Sequence, residues 1–128
     1  MSTLNVSNIT DGTDTVETGY VLNGSAKVWY LYNGSGTPAF RDSFNSASIT
    51  DHGTGDHSVN FTNNMDNANY SLSASAGNGN NADNATANVR RGVSSTSSMR
   101  NTTNYASSGT TALFDYNHIS GSIHGDLA

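Results

Sequence analysis

Apolar residues in this chain come in short alternating runs fenced by turn residues, and no stretch of ten or more residues carries a 3.6-residue apolar period. A chain so patterned buries its apolar side chains as strands, whose side chains alternate between two faces. The runs are "YVLN" (Tyr20 to Asn23), "AKVWYLY" (Ala26 to Tyr32), "AFRDSF" (Ala39 to Phe44), "SASIT" (Ser46 to Thr50), "HSVNFT" (His57 to Thr62), "ANYSLSAS" (Ala68 to Ser75) and the C-terminal "TTALFDYNHISGSIHGD". The pattern predicts an all-β protein, a small antiparallel β-sandwich or barrel-like domain. In the second run Val28, Tyr30 and Tyr32 share one face while Trp29 and Leu31 share the other. Bulk on both faces is expected where one meets the subunit core and the other a neighbouring chain.

Between Ala76 and Ser98 the composition shifts to "AGNGNNADNATANVRRGVSSTSS", whose only sizeable aliphatic residues are two valines. This reads as a long polar loop with at most a short strand around "ANVRRGV". Asn, Ser, Thr and Gly together make about half the chain, and hydrophobic residues only 34%, against about 45–50% in an ordinary domain. Disorder is not the consequence. One Pro, one Glu (Glu17), one Lys (Lys27) and no Gln stand beside 9% aromatics, the opposite of a disordered composition. With 128 residues, one domain with so little apolar surface is marginal alone, and burial between identical chains supplies what is missing. A homo-oligomer is expected.

A net charge of -5 with five basic residues excludes a phosphate-backbone footprint, so no nucleic-acid partner is expected. The adjacent pair Arg90 and Arg91 reads as part of a solvated loop. Zero cysteines exclude disulfides and thiolate zinc sites, and suit a reducing cytosol. No apolar run approaches a membrane span, and "MSTLNVSNIT" lacks the basic start and apolar stretch of a cleaved signal. No membrane insertion and no cleaved export signal are expected.

Reactive groups concentrate in "SITDHGTGDHSVNF" (Ser48 to Phe61), with Asp51, His52, Asp56 and His57 around two glycines. Two strand-like runs flank "DHGTGD", whose glycines can take positive φ and whose aspartates can cap turn amides, the chemistry of a hairpin loop of about six residues. Phosphate binding fails on spacing, because neither a dinucleotide fingerprint nor a Gly-Lys-Ser/Thr loop is present and no helix follows. Zinc is the stronger competitor, since a hairpin could bring His52 and His57 together, yet the spacing matches no standard pattern. Calcium at "DGTD" (Asp11 to Asp14) or "NADN" (Asn81 to Asn84) lacks the full ligand series. His118 and His124 on one strand lie roughly 20 Å apart, so they meet a metal only across copies around a three-fold axis. No cofactor and no resident metal are expected. A nucleophile elbow is absent and the single Glu removes most paired-carboxylate schemes, so the chain is expected not to be an enzyme.

The aromatics on predicted strands read chiefly as core or inter-subunit packing. A sharper reading has Trp29, or an exposed Tyr105 in "TTNYASS", stacking on a sugar ring while neighbouring Asn, Asp and Ser bond its hydroxyls. The candidate glycan- and host-facing residues are therefore Trp29, Asn33, Asp51, His52, Asp56, His57 and Tyr105.

The stretch from Asn23 to Ala76, above all "NGSAKVW" and the G-D-x-x-V-N-F-T…M…NY elements, resembles a module of tail-fibre and other virion surface proteins of tailed bacteriophages, marine cyanobacterial phages among them. The ending "IHGDLA" resembles the close of such chains. The resemblance covers a little under half the chain plus this tail. It implies a virion surface protein assembled in the host cytoplasm, a homotrimer with β strands packed about a three-fold axis, and "DHGTGD" as a structural turn. Fibre proteins of this kind carry a long N-terminal shaft, whereas here only a short segment precedes the module. The expectation is a short trimeric fibre, with residues 1–19 an extended arm for virion attachment and residues 20–128 the β-rich domain. Its partners would be itself, other tail or capsid proteins and a host cell-surface glycan met by the loops at Asn33 to Pro38, Asp51 to Asp56 and Gly77 to Ser98. The alternative is a capsid decoration or head-fibre protein that caps the shell without receptor binding.

Overall fold

The computed structural model describes residues 1–78, 86–107 and 109–128. They form a mostly β protein whose strands pair antiparallel throughout. A small hairpin of β1 (Asn8–Thr10) and β2 (Thr15–Glu17) leads into α1 (Thr18–Gly24). A four-stranded sheet follows the order β4-β3-β11-β7, built from β3 (Val28–Asn33), β4 (Ala39–Phe44), β7 (Ser71–Gly77) and β11 (His118–His124). A second sheet joins β5 (Ser46–Gly53), β6 (Asp56–Phe61), β8 (Thr86–Ser94), β9 (Ser98–Ser107) and β10 (Thr110–Leu113), with β9 pairing β6, β8 and β10.

The alternation of "AKVWYLY" places Val28, Tyr30 and Tyr32 in the core at 0%, 2% and 0% exposure. Ile119 and Ile123 of β11 and Val59 and Phe61 of β6 join the same cluster with Met99 of β9, so the two sheets share one core. The chain passes from β4 to β5 through Asn45 alone, a non-glycine residue at φ 54°. Its amide donates to Lys27 O and Asn63 O while its Oδ1 accepts from the Asn63 amide at 2.7 Å. Asparagine suits that corner because it tolerates the left-handed region and bonds locally.

Four expectations change. The "YVLN" run is helical rather than a strand: it lies in α1, which has no buried residue, and no residue before Val28 is buried. With no strand among the described residues pairing it, the segment satisfies its amides locally, as in Ser25 N to Val21 O. The arm expected to be extended instead folds back as the β1–β2 hairpin, its turn held by Asp11 Oδ1 accepting the Thr13 and Asp14 amides. "ANVRRGV" belongs to a nine-residue strand, β8, paired along β9; residues 79–85 of the expected polar loop lie outside the described residues. Finally, Arg90 and Arg91 are exposed as expected but lie on β8 and not in a loop, and Arg91 is held in place. Its guanidinium donates to Tyr70 O at 2.6 Å and Ala68 O at 2.7 Å and lies 4.8 Å from the Tyr70 ring centroid, clamping β8 onto the segment before β7.

Candidate functional site

The hairpin between β5 and β6 is tighter than expected. Asp51 pairs with His57 and Gly53 with Asp56, leaving Thr54 and Gly55 as the turn. Gly53 and Gly55 take φ of 124° and 63°, conformations that favour glycine. The Asp51 carboxylate caps the Gly53 amide at 2.8 Å, and Asp115 reaches over to accept the Gly55 amide at 2.5 Å. The hairpin is therefore fastened to the loop before β11.

Its two histidines do not converge, although Asp51 pairs with His57 across the hairpin. Successive residues of β6 face opposite sides. His57 points into the core at 1% exposure, its ring edge-on to Tyr32 at 5.6 Å. His52 bonds Ser58 at 2.9 Å on the other face. The hairpin thus separates the two histidines that the zinc reading brought together, and among the described residues no group of three or more His, Asp or Glu side chains is placed to hold a metal ion. His57 is not host-facing either. Nor is Asp56, which is mostly buried and takes a two-pronged bond from Arg100, Nε to Oδ1 at 2.7 Å and Nη2 to Oδ2 at 2.5 Å.

These two groups are expected to make the stability of the fold fall in acid. Burial holds His57 below its ordinary pKa, against the opposing pull of Asp115 and Asp51, each 3.9 Å from Nε2. The Arg100 guanidinium holds Asp56 below the usual carboxylate range. In both cases the unfolded chain takes up a proton that the folded chain resists, so each contribution is complete above the unfolded pKa and is lost as pH falls. Urea midpoints are expected to fall between about pH 7 and 5 through His57 and again below about pH 4 through Asp56. His57→Gln should flatten the first decline while leaving the second. A wild-type midpoint that holds level from neutral to mildly acidic pH would contradict this.

Two further candidates are structural. Asn33 is half-buried and closes its own turn, donating to Ser35 O and accepting from the Ser35 amide. The next residue, Gly34, is pressed so closely on the core that a Cβ there would meet Ile119 Cδ1 at 2.8 Å. Tyr105, expected to be exposed, is half-buried in β9 and stands edge-on to Phe114 at 5.8 Å. The polar run "SMRNTTNYAS" hides a strand, because its inward positions Asn101 and Thr103 are polar yet fully buried.

Trp29 is different. It sits on the outer face of the four-stranded sheet and remains 39% exposed. Register places Phe44, Trp29, Ser122 and Ser73 in one row across the sheet, and Asp42, Leu31, Ser120 and Ser75 in the next row on that face. Beside the indole, the small side chains of β11 and β7 leave an open trough of about 480 Å³ lined by Trp29, Tyr30, Ser73, Ala74, Ser75, Ser120, Gly121 and Ser122. The sequence reading singled out Trp29 but missed these serines. Their signal was the period of two in "SLSASA" and in the "SGS" at the middle of "HISGSIH", where every second residue is serine. No helix among the described residues is long and apolar enough to cross a membrane. Protein-family models, curated proteins and solved structures offer no match to this chain.

Proposed function

We propose that this chain is a structural surface component of a tailed-phage virion, a short homotrimeric tail-fibre-like protein that meets host surface polysaccharide. The observation that carries this reading is the apolar surface that one copy leaves uncovered. Leu4, Ile9, Val16, Tyr20, Val21 and Leu22 are all exposed before the first core residue, and Trp29 and Phe44 are exposed on the sheet face. Monomers rarely present so much of their scarce apolar material to water, and such patches mark interaction sites. The two sheets serve as the layers of a small sandwich, the N-terminal hairpin and helix as the element that docks on the particle, and the sheet face as the recognition surface. The resemblance of Asn23 to Ala76 to phage fibre modules supports the same assignment.

The exposed N-terminal residues also favour a second reading, a capsid decoration or head-fibre protein that holds to the shell and binds no receptor. Labelled full-length protein offered in parallel to intact host cells and to particles lacking it separates the two. Saturable binding to cells is expected. Binding to particles alone would assign the decoration role, and binding to neither would overturn both.

A further inference from the structure

We propose that the trough beside Trp29 is a binding site for a neutral polysaccharide, with a pyranose ring stacked on the indole and its hydroxyls bonded by Ser73, Ser75, Ser120 and Ser122. The inference rests on the recognition reading above and names the ligand class for that surface.

The register supplies the geometry. Trp29, Ser122 and Ser73 stand on adjacent strands in one row, and Leu31, Ser120 and Ser75 in the next. Strands lie about 4.8 Å apart, so each row spans roughly 10 Å, wider than a single pyranose ring. Among the described outward residues that line the trough, Trp29 is the only large aromatic, and it stands in register with the serines of β11 and β7. Its apolar ring face suits the C–H face of a sugar, while the sugar's equatorial hydroxyls meet the floor. Each serine hydroxyl is both donor and acceptor, as a sugar hydroxyl is. Ser75 and Ser120 bond each other at 2.8 Å, which positions both and leaves each with capacity for a ligand.

Charge selects the class. Among the described residues, no Lys, Arg, His, Asp or Glu lines the trough, and the chain carries a net charge of -5. A sulfated or carboxylated glycan would lose hydration there without gaining a cation, and would be repelled at longer range. A second copy of this chain is the less suitable occupant. It would bury four serine hydroxyls around one indole, whereas interface cores are depleted in serine.

Trp29 is the only tryptophan, so its emission reads this site directly. Full-length protein is titrated with dextran and mannan as neutral probes and with dextran sulfate and alginate as anionic ones. A saturable change in emission with at least one neutral probe and none with the anionic probes is expected. Trp29→Ala should bind the same neutral probe at least about tenfold more weakly, as loss of a buried aromatic anchor does, with its far-UV circular dichroism and oligomer size unchanged. Affinity electrophoresis in the polysaccharide measures that variant, which has no indole to report. Ser75→Ala/Ser120→Ala should weaken binding with the indole in place. Unmoved emission with both neutral probes overturns the site, and so does a Trp29→Ala protein that elutes as a smaller oligomer, since the face then belongs to a second copy. Wild-type binding to cells that Trp29→Ala leaves unchanged would keep the recognition reading and remove this site. Emission that responds to a neutral probe in a protein that binds no cells would keep the site and remove that reading.

Discussion

Alanine at position 101 is expected to lower the stability of this protein by about 3 kcal/mol. Asn101 is fully buried in β9. Its Oδ1 accepts from the Tyr32 hydroxyl at 3.0 Å, and its Nδ2 donates to the Tyr30 hydroxyl at 3.3 Å. Both phenols are in the core, where burial pushes the pKa of Tyr30 up to about 12 and that of Tyr32 upward as well, against the opposing pull of the amide. Alanine removes two hydrogen bonds, leaves a cavity and strips both hydroxyls of the partner they share across the two sheets. A buried polar group without a partner costs about 1–3 kcal/mol, more than the bond itself contributed. Tyr32→Phe removes one hydroxyl along with its need for a partner, so about 1 kcal/mol is expected. The double variant should lose less than the sum, because both changes break the same bond. Urea unfolding followed by Trp29 emission measures all three. An Asn101→Ala loss below about 1 kcal/mol would mean that the phenols find other partners and that the network does not hold the sheets together.

Gly55→Ala should be comparably damaging, at about 3 kcal/mol or more. Gly55 is buried at φ 63°, and an added Cβ would sit 2.7 Å from the Phe114 amide nitrogen and nearer still to the Thr103 carbonyl oxygen. Both neighbours are backbone, and both are held: the Phe114 amide donates to Thr103 O, and the Thr103 amide donates to Gly55 O. Neither can move aside as a side chain would. Gly53→Ala is the control. It also has a positive φ, 124°, but nothing lies within 4 Å of its Cβ position, so strain alone acts and about 1–2 kcal/mol is expected. Equal losses at the two positions would show that close packing at the hairpin corner is not what makes Gly55 necessary.

How far such features could be read beforehand depended on whether a residue's role is local. The strand at Val28 to Asn33 was legible because its alternation is steep and its inward residues are apolar. The strand at Ser98 to Ser107 was not, because beside Met99 its fully buried positions are the polar Asn101 and Thr103, and a polar residue becomes a core residue only when a partner such as Tyr32 arrives from the other sheet. The Tyr20 to Asn23 segment failed for the converse reason. It has the residues of a strand, but a strand needs a neighbour, and none of the described strands pairs with it.

At the candidate site the same division holds. The sequence by itself determined that the protein is β-rich, poor in apolar material, without cysteine chemistry and acidic, because these follow from residue type and spacing alone. It also marked Trp29 as a residue whose side chain would not share the core with Tyr30 and Tyr32. Only the tertiary structure decided that Asp56 and His57 are sequestered while Trp29 faces water, and that Ser73, Ser75, Ser120 and Ser122, from strands far apart in the chain, form the floor beside it. Strand register creates that surface. Register between distant strands is set by long-range pairing and by which faces the core excludes from water, and no local pattern encodes it.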